Sequence, residues 1–477
     1  MDRKQFLNIN ISTERVDKVY KINKEERKLG KGFFGIVVRG EDKVTGQARA
    51  IKIIKKEKLQ EKSMNLELLS NEYKLMFNID HPNIIRLFEV YDDAKYIYFV
   101  MELLEGNSLF EGMFAEGAQA SEKRVRELFF QIMKGIQYLH KNGIAHRDIK
   151  PQNIMFLNKK MDQLKIIDFG VSKYFFDSKN PKGEITLRTM TGSLFYLPPE
   201  IMEGAYDCRC DIWSAGVLLY MMIAGVPPFY DLNPQIVVEK VKNVDYKFEE
   251  EVWKSVSPQV QDLIRNMIAP RDVRFDANQV LNHPWMKMDM VKPEFQVQLN
   301  AIKDFFKSSK ISKLIREIIS AGCSETDSTN MGTLFVDIDD DGDGLITRDE
   351  LIEGISQRLK ICDSELIEAI RKNFPENTRL SYTNFSTVLG SFYTMSNYEG
   401  RLVKIFSMLD SNQDGKLTVD DLIKYQKSQT GRSERKEDEE EETPEKKYAN
   451  WINEVDSDKK GYLTFEDIKR IMKSKGC

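Results

Sequence analysis

Ile144-Ala145-His146-Arg147-Asp148-Ile149-Lys150-Pro151-Gln152-Asn153, followed after a short apolar run by Lys165-Ile166-Ile167-Asp168-Phe169-Gly170, governs how the remaining sequence is read. Two carboxylates, an amide and an ammonium fall close together. That set suits phosphoryl transfer, where a protein does little covalent work and mainly positions reactants and neutralises charge. Asp148 is placed to accept the proton of an attacking hydroxyl, and Lys150 to sit against the transferring group. Asn153 and Asp168 offer hard oxygen ligands to the Mg²⁺ that holds nucleotide phosphates. The plain alternative is a polar surface loop with a chance Asp-Phe-Gly; the order and separation of the two halves weigh against it.

Upstream, Leu29-Gly30-Lys31-Gly32-Phe33-Phe34-Gly35-Ile36-Val37 carries three glycines where backbone N–H groups must approach phosphate and a side chain would block them. This spacing is weak alone. It gains weight from Ala48-Arg49-Ala50-Ile51-Lys52-Ile53-Ile54, a strand whose Lys52 reaches the α and β phosphates. Glu72, in a helical pattern with Leu66, Leu69, Tyr73 and Met76, is the natural ion-pair partner of Lys52. Tyr96 to Met101 reads as a strand entering Glu102-Leu103-Leu104-Glu105, the hinge for an adenine ring. The candidate nucleotide site is therefore Leu29, Gly30, Lys31, Gly32, Gly35, Val37, Ala50, Lys52, Glu102 and Leu104.

Downstream, Ser121 to Asn142 is an amphipathic helix (Val125, Leu128, Phe129, Ile132, Ile136, Leu139) that delivers the chain to the quoted stretch. Together these motifs resemble the protein-kinase signature. The resemblance implies that Pro198-Pro199-Glu200 closes an activation segment, that Glu200 pairs with Arg274, and that Asp211 begins a buried helix anchoring the catalytic loop. Arg147 beside Asp148 implies a basic pocket for an anionic group on that segment, with Thr189 ahead of Thr186 and Thr191 as modified residue; all three are equally readable as plain loop positions. Ser193 stands where a threonine normally supports Asp148 and Lys150, which fits Ser/Thr substrates. Kinases that select arginine carry glutamates at places held here by Ser108, Gln152 and Met221, so the expected preference for basic peptides is weak.

The C-terminal half contains a different chemistry. Asp339-Asp340-Asp341-Gly342-Asp343-Gly344-Leu345-Ile346-Thr347-Arg348-Asp349-Glu350 is a complete EF-hand loop: Asp339, Asp341, Asp343, the Leu345 carbonyl, Thr347 or its water, and bidentate Glu350 surround one Ca²⁺. A second such loop, Asp410 to Asp421, offers Asp410, Asn412, Asp414, Lys416 (through its carbonyl) and Asp421; its final Asp is one methylene short of Glu, so affinity should suffer. A third, Asp456 to Asp467, offers Asp456, Asp458, Lys460, Tyr462 (carbonyl) and Asp467, but the lysine at position 5 leaves it weak, with binding itself open. Asn373 to Asn384 has the length and the Leu380 of a hand without its acids, and reads as a structural pair-mate. Lys427 to Lys447 holds the acidic run Glu437 to Glu442, a solvated insert. Between the halves, Leu299, Ile302, Phe305, Phe306, Ile311, Leu314, Ile315, Ile318 and Ile319 recur at helical spacing among lysines, as in a calmodulin target; an ordinary surface helix is the competing reading.

Composition narrows the rest. A formal charge of −4 over 477 residues gives no global attraction to nucleic acid or anionic membrane. Five scattered cysteines without paired metal spacing fit a reducing, cytoplasmic setting. The longest apolar run, Ile212 to Val226, is too short to span a bilayer and is broken by Ser214 and Gly216. No secretory or lipid-anchor signal is read at either end.

Kinase motifs, basic junction and four EF-hand units in this order resemble the calcium-dependent protein kinases. The resemblance implies an α+β chain: a bilobal kinase fold followed by an all-α calmodulin-like domain of two EF-hand pairs. It places a leader at 1–20, the kinase domain at 21–285 (lobes 21–103 and 104–285) and the junction at 286–330. EF-hand pair 1 follows at 331–395, and pair 2, with its insert 427–447, at 396–477. It further implies ATP, Mg²⁺ and Ca²⁺ as cofactors, protein substrates, and an intramolecular grip of the EF-hand module on the junction helix; a monomer is expected, although the sequence does not reveal the oligomeric state. The rivals are a calcium-responsive scaffold with an inactive kinase fold and an active kinase whose EF-hands are only structural.

Overall fold

β-branched and aromatic residues on both faces of Ala48–Lys55 and Tyr96–Met101 build a sheet buried on two sides. The computed structural model describes residues 15–22, 29–31, 35–43, 46–57, 75–114, 120–169, 173–174, 194–202, 207–249, 251–288, 311–312, 314–315, 325–354, 356, 367–368, 370–371, 374, 376, 378–393, 398–429 and 443–473. Strands β1 (Tyr20–Ile22), β2 (Gly30–Lys31), β3 (Gly35–Asp42), β4 (Ala48–Lys55), β5 (Leu87–Asp92) and β6 (Tyr96–Met101) form an antiparallel sheet in the order β1-β3-β4-β6-β5, with β2 on β3. One face packs Val38, Ile51 and Val100 with Tyr20; the other packs Ile54, Val90 and Phe99 with Leu75 and Phe169. Strand parity puts Lys52 on the second face, with Ala50 and Ile54.

The following lobe is helical. Its long helix, Glu122–Lys141, is capped by Ser121, whose side chain accepts from Arg124 N, and it buries Leu128, Phe129 and Ile132 in the lobe's core. Arg209–Ala224 is buried from Cys210 to Ile223; Trp213 stacks on Phe229, and Gly225 ends the helix at φ 76. Glu200 and Arg274 make the anticipated buried ion pair, with Nη2–Oε2 at 3.0 Å. Two short two-stranded sheets carry the catalytic loop: β7 (Ile144–Ala145) pairs with β10 (Lys173–Tyr174), and β8 (Ile154–Phe156) forms a hairpin with β9 (Leu164–Ile166).

Two further cores follow. In the first, Phe335, Leu351, Phe374 and Phe385 pack together, and β11 (Leu345–Ile346) pairs with β12 (Leu380–Ser381), so the acid-poor hand does serve as the mate of the first loop. In the second, helices Tyr398–Leu409, Val419–Gln429, Pro444–Asn453 and Phe465–Lys473 enclose Leu417 and Leu463, which bridge the two loops. Ile311 and Ile315 of the junction are buried in this second core, with Leu314 partly so. The remaining junction residues named from the sequence, and the acidic run, lie outside the described residues.

Candidate active site and calcium loops

Hairpin register brings the catalytic groups together. Pairing of Ile154 with Ile166 sets Asn153 beside Ile167, whose N–H donates to the Asn153 carbonyl at 2.9 Å, so Asp168 emerges next to the Asp148 loop. Asp148 accepts Lys150 Nζ at 2.7 and 2.8 Å and Asn153 Nδ2 at 2.7 Å. With its NH₂ given to Asp148, Asn153 keeps its amide oxygen for a metal, and Asp168 supplies a carboxylate. Lys52 Nζ lies 3.8 Å from Asp168 Oδ1. These oxygens and the adjacent ammonium fit a divalent cation holding phosphates.

Arg147 (φ 67) and Asp168 (φ 66) both adopt left-handed backbone. Such strain needs support. At Arg147 it comes from fully buried Asp211, which accepts from His146 N at 2.8 Å, Arg147 N at 2.7 Å and the His140 ring at 2.9 Å. Burial opposes charge on both partners, but the bond to Asp211 raises His140 to about 9 and holds Asp211 below its ordinary value. Phe169 is buried edge-on against the His146 ring, 5.0 Å between centroids.

For the nucleotide, Leu29 N donates to Val37 O, and β2–β3 pairs Gly30 with Val37 and Lys31 with Ile36. Gly35 is obligatory, since a Cβ there would lie 1.9 Å from the Ile53 carbonyl. Ala50 is buried opposite Met101, and partly buried Leu104 packs on the core beneath the sheet. Glu102 pairs with buried Lys165 at 2.9 Å, a hinge contact the sequence did not announce. Gly32, Glu72, Thr186, Thr189, Thr191 and Ser193 lie outside the described residues. Of the three positions without glutamate, Ser108 hydrogen-bonds Glu111 at 3.0 Å, Met221 receives the Tyr196 hydroxyl at 3.1 Å on sulfur, and Gln152 is exposed.

In the first calcium loop, ligand oxygens of Asp339, Asp341 and Asp343 lie within 4.8 Å of one another, the one such cluster among the described residues. Burial, with Asp343 and Glu350 nearby, pushes Asp339 up to about 6 although Lys134 pulls it down. Glu350 accepts from Thr347 N (2.9 Å) and Asp340 N (3.1 Å), closing the loop from position 12. Leu345 N donates to Asp343. Converging acids of this kind fit Ca²⁺. The loop Asp410–Asp421 keeps the same frame: Gly415 N donates to Asp410 at 2.8 Å, Lys416 N to Asp414 at 2.9 Å, Asp414 N to Asn412 at 3.2 Å, and Asp421 accepts from Thr418 N at 3.0 Å. In Asp456–Asp467 the Lys460 ammonium reaches Asp467 at 2.8 Å and Asp458 at 3.4 Å, alongside the half-buried ring of Tyr462. These residues do not fit Ca²⁺ as the other two loops do.

The first loop is also seated on the catalytic lobe. Lys134 Nζ donates to the Asp339 carbonyl at 3.3 Å, and Asn142 Nδ2 to that of Asp343 at 3.3 Å. Asp80 accepts Thr383 N (3.0 Å) and Oγ1 (2.9 Å). Gly344 lies flat on Tyr138, where a Cβ would come within 2.1 Å of the ring. Phe130, Lys134, Gln137 and Tyr138 form a helical stripe under this seat, and its polar members give no sign in the sequence that they are covered.

Comparison with known proteins agrees with both halves. A Protein kinase domain profile matches residues 23–286, an EF hand profile 331–355 and an EF-hand domain pair profile 399–473. The chain is similar to calcium-dependent protein kinase 5 of Plasmodium falciparum (isolate 3D7), 33% identical over 487 residues, covering 99% of this chain and 81% of that protein. It is similar to calcium-dependent protein kinase 3 of Plasmodium berghei (strain Anka), 32% identical over 465 residues, covering 95% and 80%.

Proposed function

This chain belongs to the calcium-dependent protein kinases, and from that premise we infer a calcium-activated enzyme that moves the γ-phosphoryl group of ATP onto Ser or Thr hydroxyls of proteins. The observation that carries the reading is Asp148, oriented by Asn153 and Lys150, with the Lys52–Asp168 pair joined to the same loop through the Ile167–Asn153 backbone bond. In this reading Asp148 takes the hydroxyl proton, Lys150 screens the transferring phosphoryl group, and Lys52, supported by Glu72, holds the α and β phosphates. Asn153 and Asp168 would hold Mg²⁺, which neutralises phosphate charge when bound. The glycine hairpin, Val37, Ala50, Glu102 and Leu104 enclose the nucleotide.

Calcium control runs through the C-terminal module. Its first pair rests on the long helix that ends at the catalytic loop, and its second pair holds Ile311 and Ile315 of the junction. The domain limits read from the sequence, a cytosolic location and a monomeric state belong to the same proposal; among the described residues no helix is long and apolar enough to cross a membrane. The test is a calcium titration of peptide phosphorylation by the full chain. Activity should rise from chelator to saturating Ca²⁺, and Asp148→Asn should lower it by about 10²–10⁴-fold at every calcium level. Equal rates in chelator and in Ca²⁺ would remove the proposed control.

A further inference from the structure

The loop Asp456–Asp467 is folded like its neighbour without the same charge balance. Gly461 N donates to Asp456 at 2.6 Å, as Gly415 N does to Asp410, and Leu463 and Leu417 exchange backbone hydrogen bonds at 2.7 and 3.0 Å. Asp467 accepts Thr464 N and Oγ1, as Asp421 accepts Thr418. The difference lies at position 5. Lys460 sends its ammonium between the carboxylates of positions 3 and 12, and Arg470 binds the other oxygen of Asp467.

We propose that Lys460 is the resident cation of this hand: a tethered ammonium that bridges Asp458 and Asp467, excludes Ca²⁺ and keeps the loop closed at all calcium levels. Bidentate closure by Asp467 is blocked on both oxygens, by Lys460 on one and Arg470 on the other. The ammonium carries one charge against three carboxylates, and Asp456 Oδ1 stays buried without a hydrogen-bond partner, so the cage is filled only on the Asp467 side. The consequence is a C-terminal pair that binds one ion, at Asp410–Asp421, against a partner loop already ordered through the Leu417–Leu463 bridge. That partner's ordering entropy is then spent before calcium arrives.

The inference rests on reading the C-terminal half as a calcium module, and the test separates the two. Full-length chain carrying ¹⁵N-labelled glycine is titrated with Ca²⁺, following the position-6 amides Gly344, Gly415 and Gly461. Gly344 and Gly415 should shift and Gly461 should stay. If all three stay, the calcium-module reading fails; if Gly461 moves together with Gly415 in the wild-type chain, the tethered-cation proposal is overturned. The double variant Lys460→Asn/Arg470→Ala supplies an oxygen ligand at position 5, frees both oxygens of Asp467 and should add one bound Ca²⁺ per chain by equilibrium dialysis, with Gly461 now shifting. A folded double variant that binds no additional ion also overturns it. Should that variant fail to fold, the wild-type Gly461 result decides alone.

Discussion

The two EF-hand pairs share a plan and differ in what surrounds it. The first pair turns its calcium loop onto the catalytic lobe, where Lys134, Tyr138 and Asn142 touch Asp339, Gly344 and Asp343. The second pair instead encloses Ile311 and Ile315 of the junction and answers one of its own acidic loops with Lys460. One pair thus presents its ion site to the enzyme, and the other holds the connecting segment. In the first, the loop that carries the acidic cluster also makes the contact with the lobe; in the second, the acidic loops and the residues that grip the junction are different.

The strongest way to break this contrast is Glu350→Gln. It removes the position-12 carboxylate of the kinase-seated loop and should raise the calcium needed for half-activation by about tenfold or more. Asp410→Ala, in a loop with no described contact to the catalytic lobe, should shift it less; equal shifts in a calcium titration would dissolve the distinction. Next in size, Ile315→Ala opens a cavity in the second core and should destabilise that pair by about 2–5 kcal/mol. Hydrogen exchange should quicken at Leu409 and Leu417 while Ile338 and Leu351 keep their protection.

Thr383→Val is a finer cut. It deletes the hydroxyl bond to Asp80, keeps the backbone one, and should weaken the seat by about 1 kcal/mol, read as faster amide exchange across Thr383 with the second pair unchanged. The smallest effect is in pH. Asp339, raised to about 6, favours the docked calcium-free state at and below the ordinary aspartate range, and that support fades as pH climbs through about 6. Asp467, held at about 2, has the opposite sign: its support is present above the ordinary carboxylate range and is lost only as pH falls through about 2. In chelator, exchange protection around Asp339 should therefore drop between about pH 4 and about pH 6.5 while that around Asp467 holds.

Much of this was legible in the sequence. The α+β architecture, the Asp148–Asn153–Asp168 group and the loop Asp339–Glu350 announce themselves because phosphate and calcium chemistry fix residue types at fixed spacings. So does Glu200–Arg274, through the family pattern. Contacts between distant segments did not. Lys134 and Gln137 look like ordinary solvated helix residues until a domain far along the chain covers them, and Lys165 gives no hint that it will meet Glu102. For Lys460, the sequence showed a cation in an acidic cage; the geometry adds which two carboxylates it joins.

The hidden stripe on the long helix has a practical corollary for anyone dissecting the molecule. A fragment cut just after the short helix Pro284–Lys287 would retain every phosphoryl-transfer group yet bare Phe130, Lys134 and Tyr138 to solvent. Such a stump should be stickier in solution than the intact polypeptide, and its behaviour in the test tube would report on the uncovered patch as much as on catalysis.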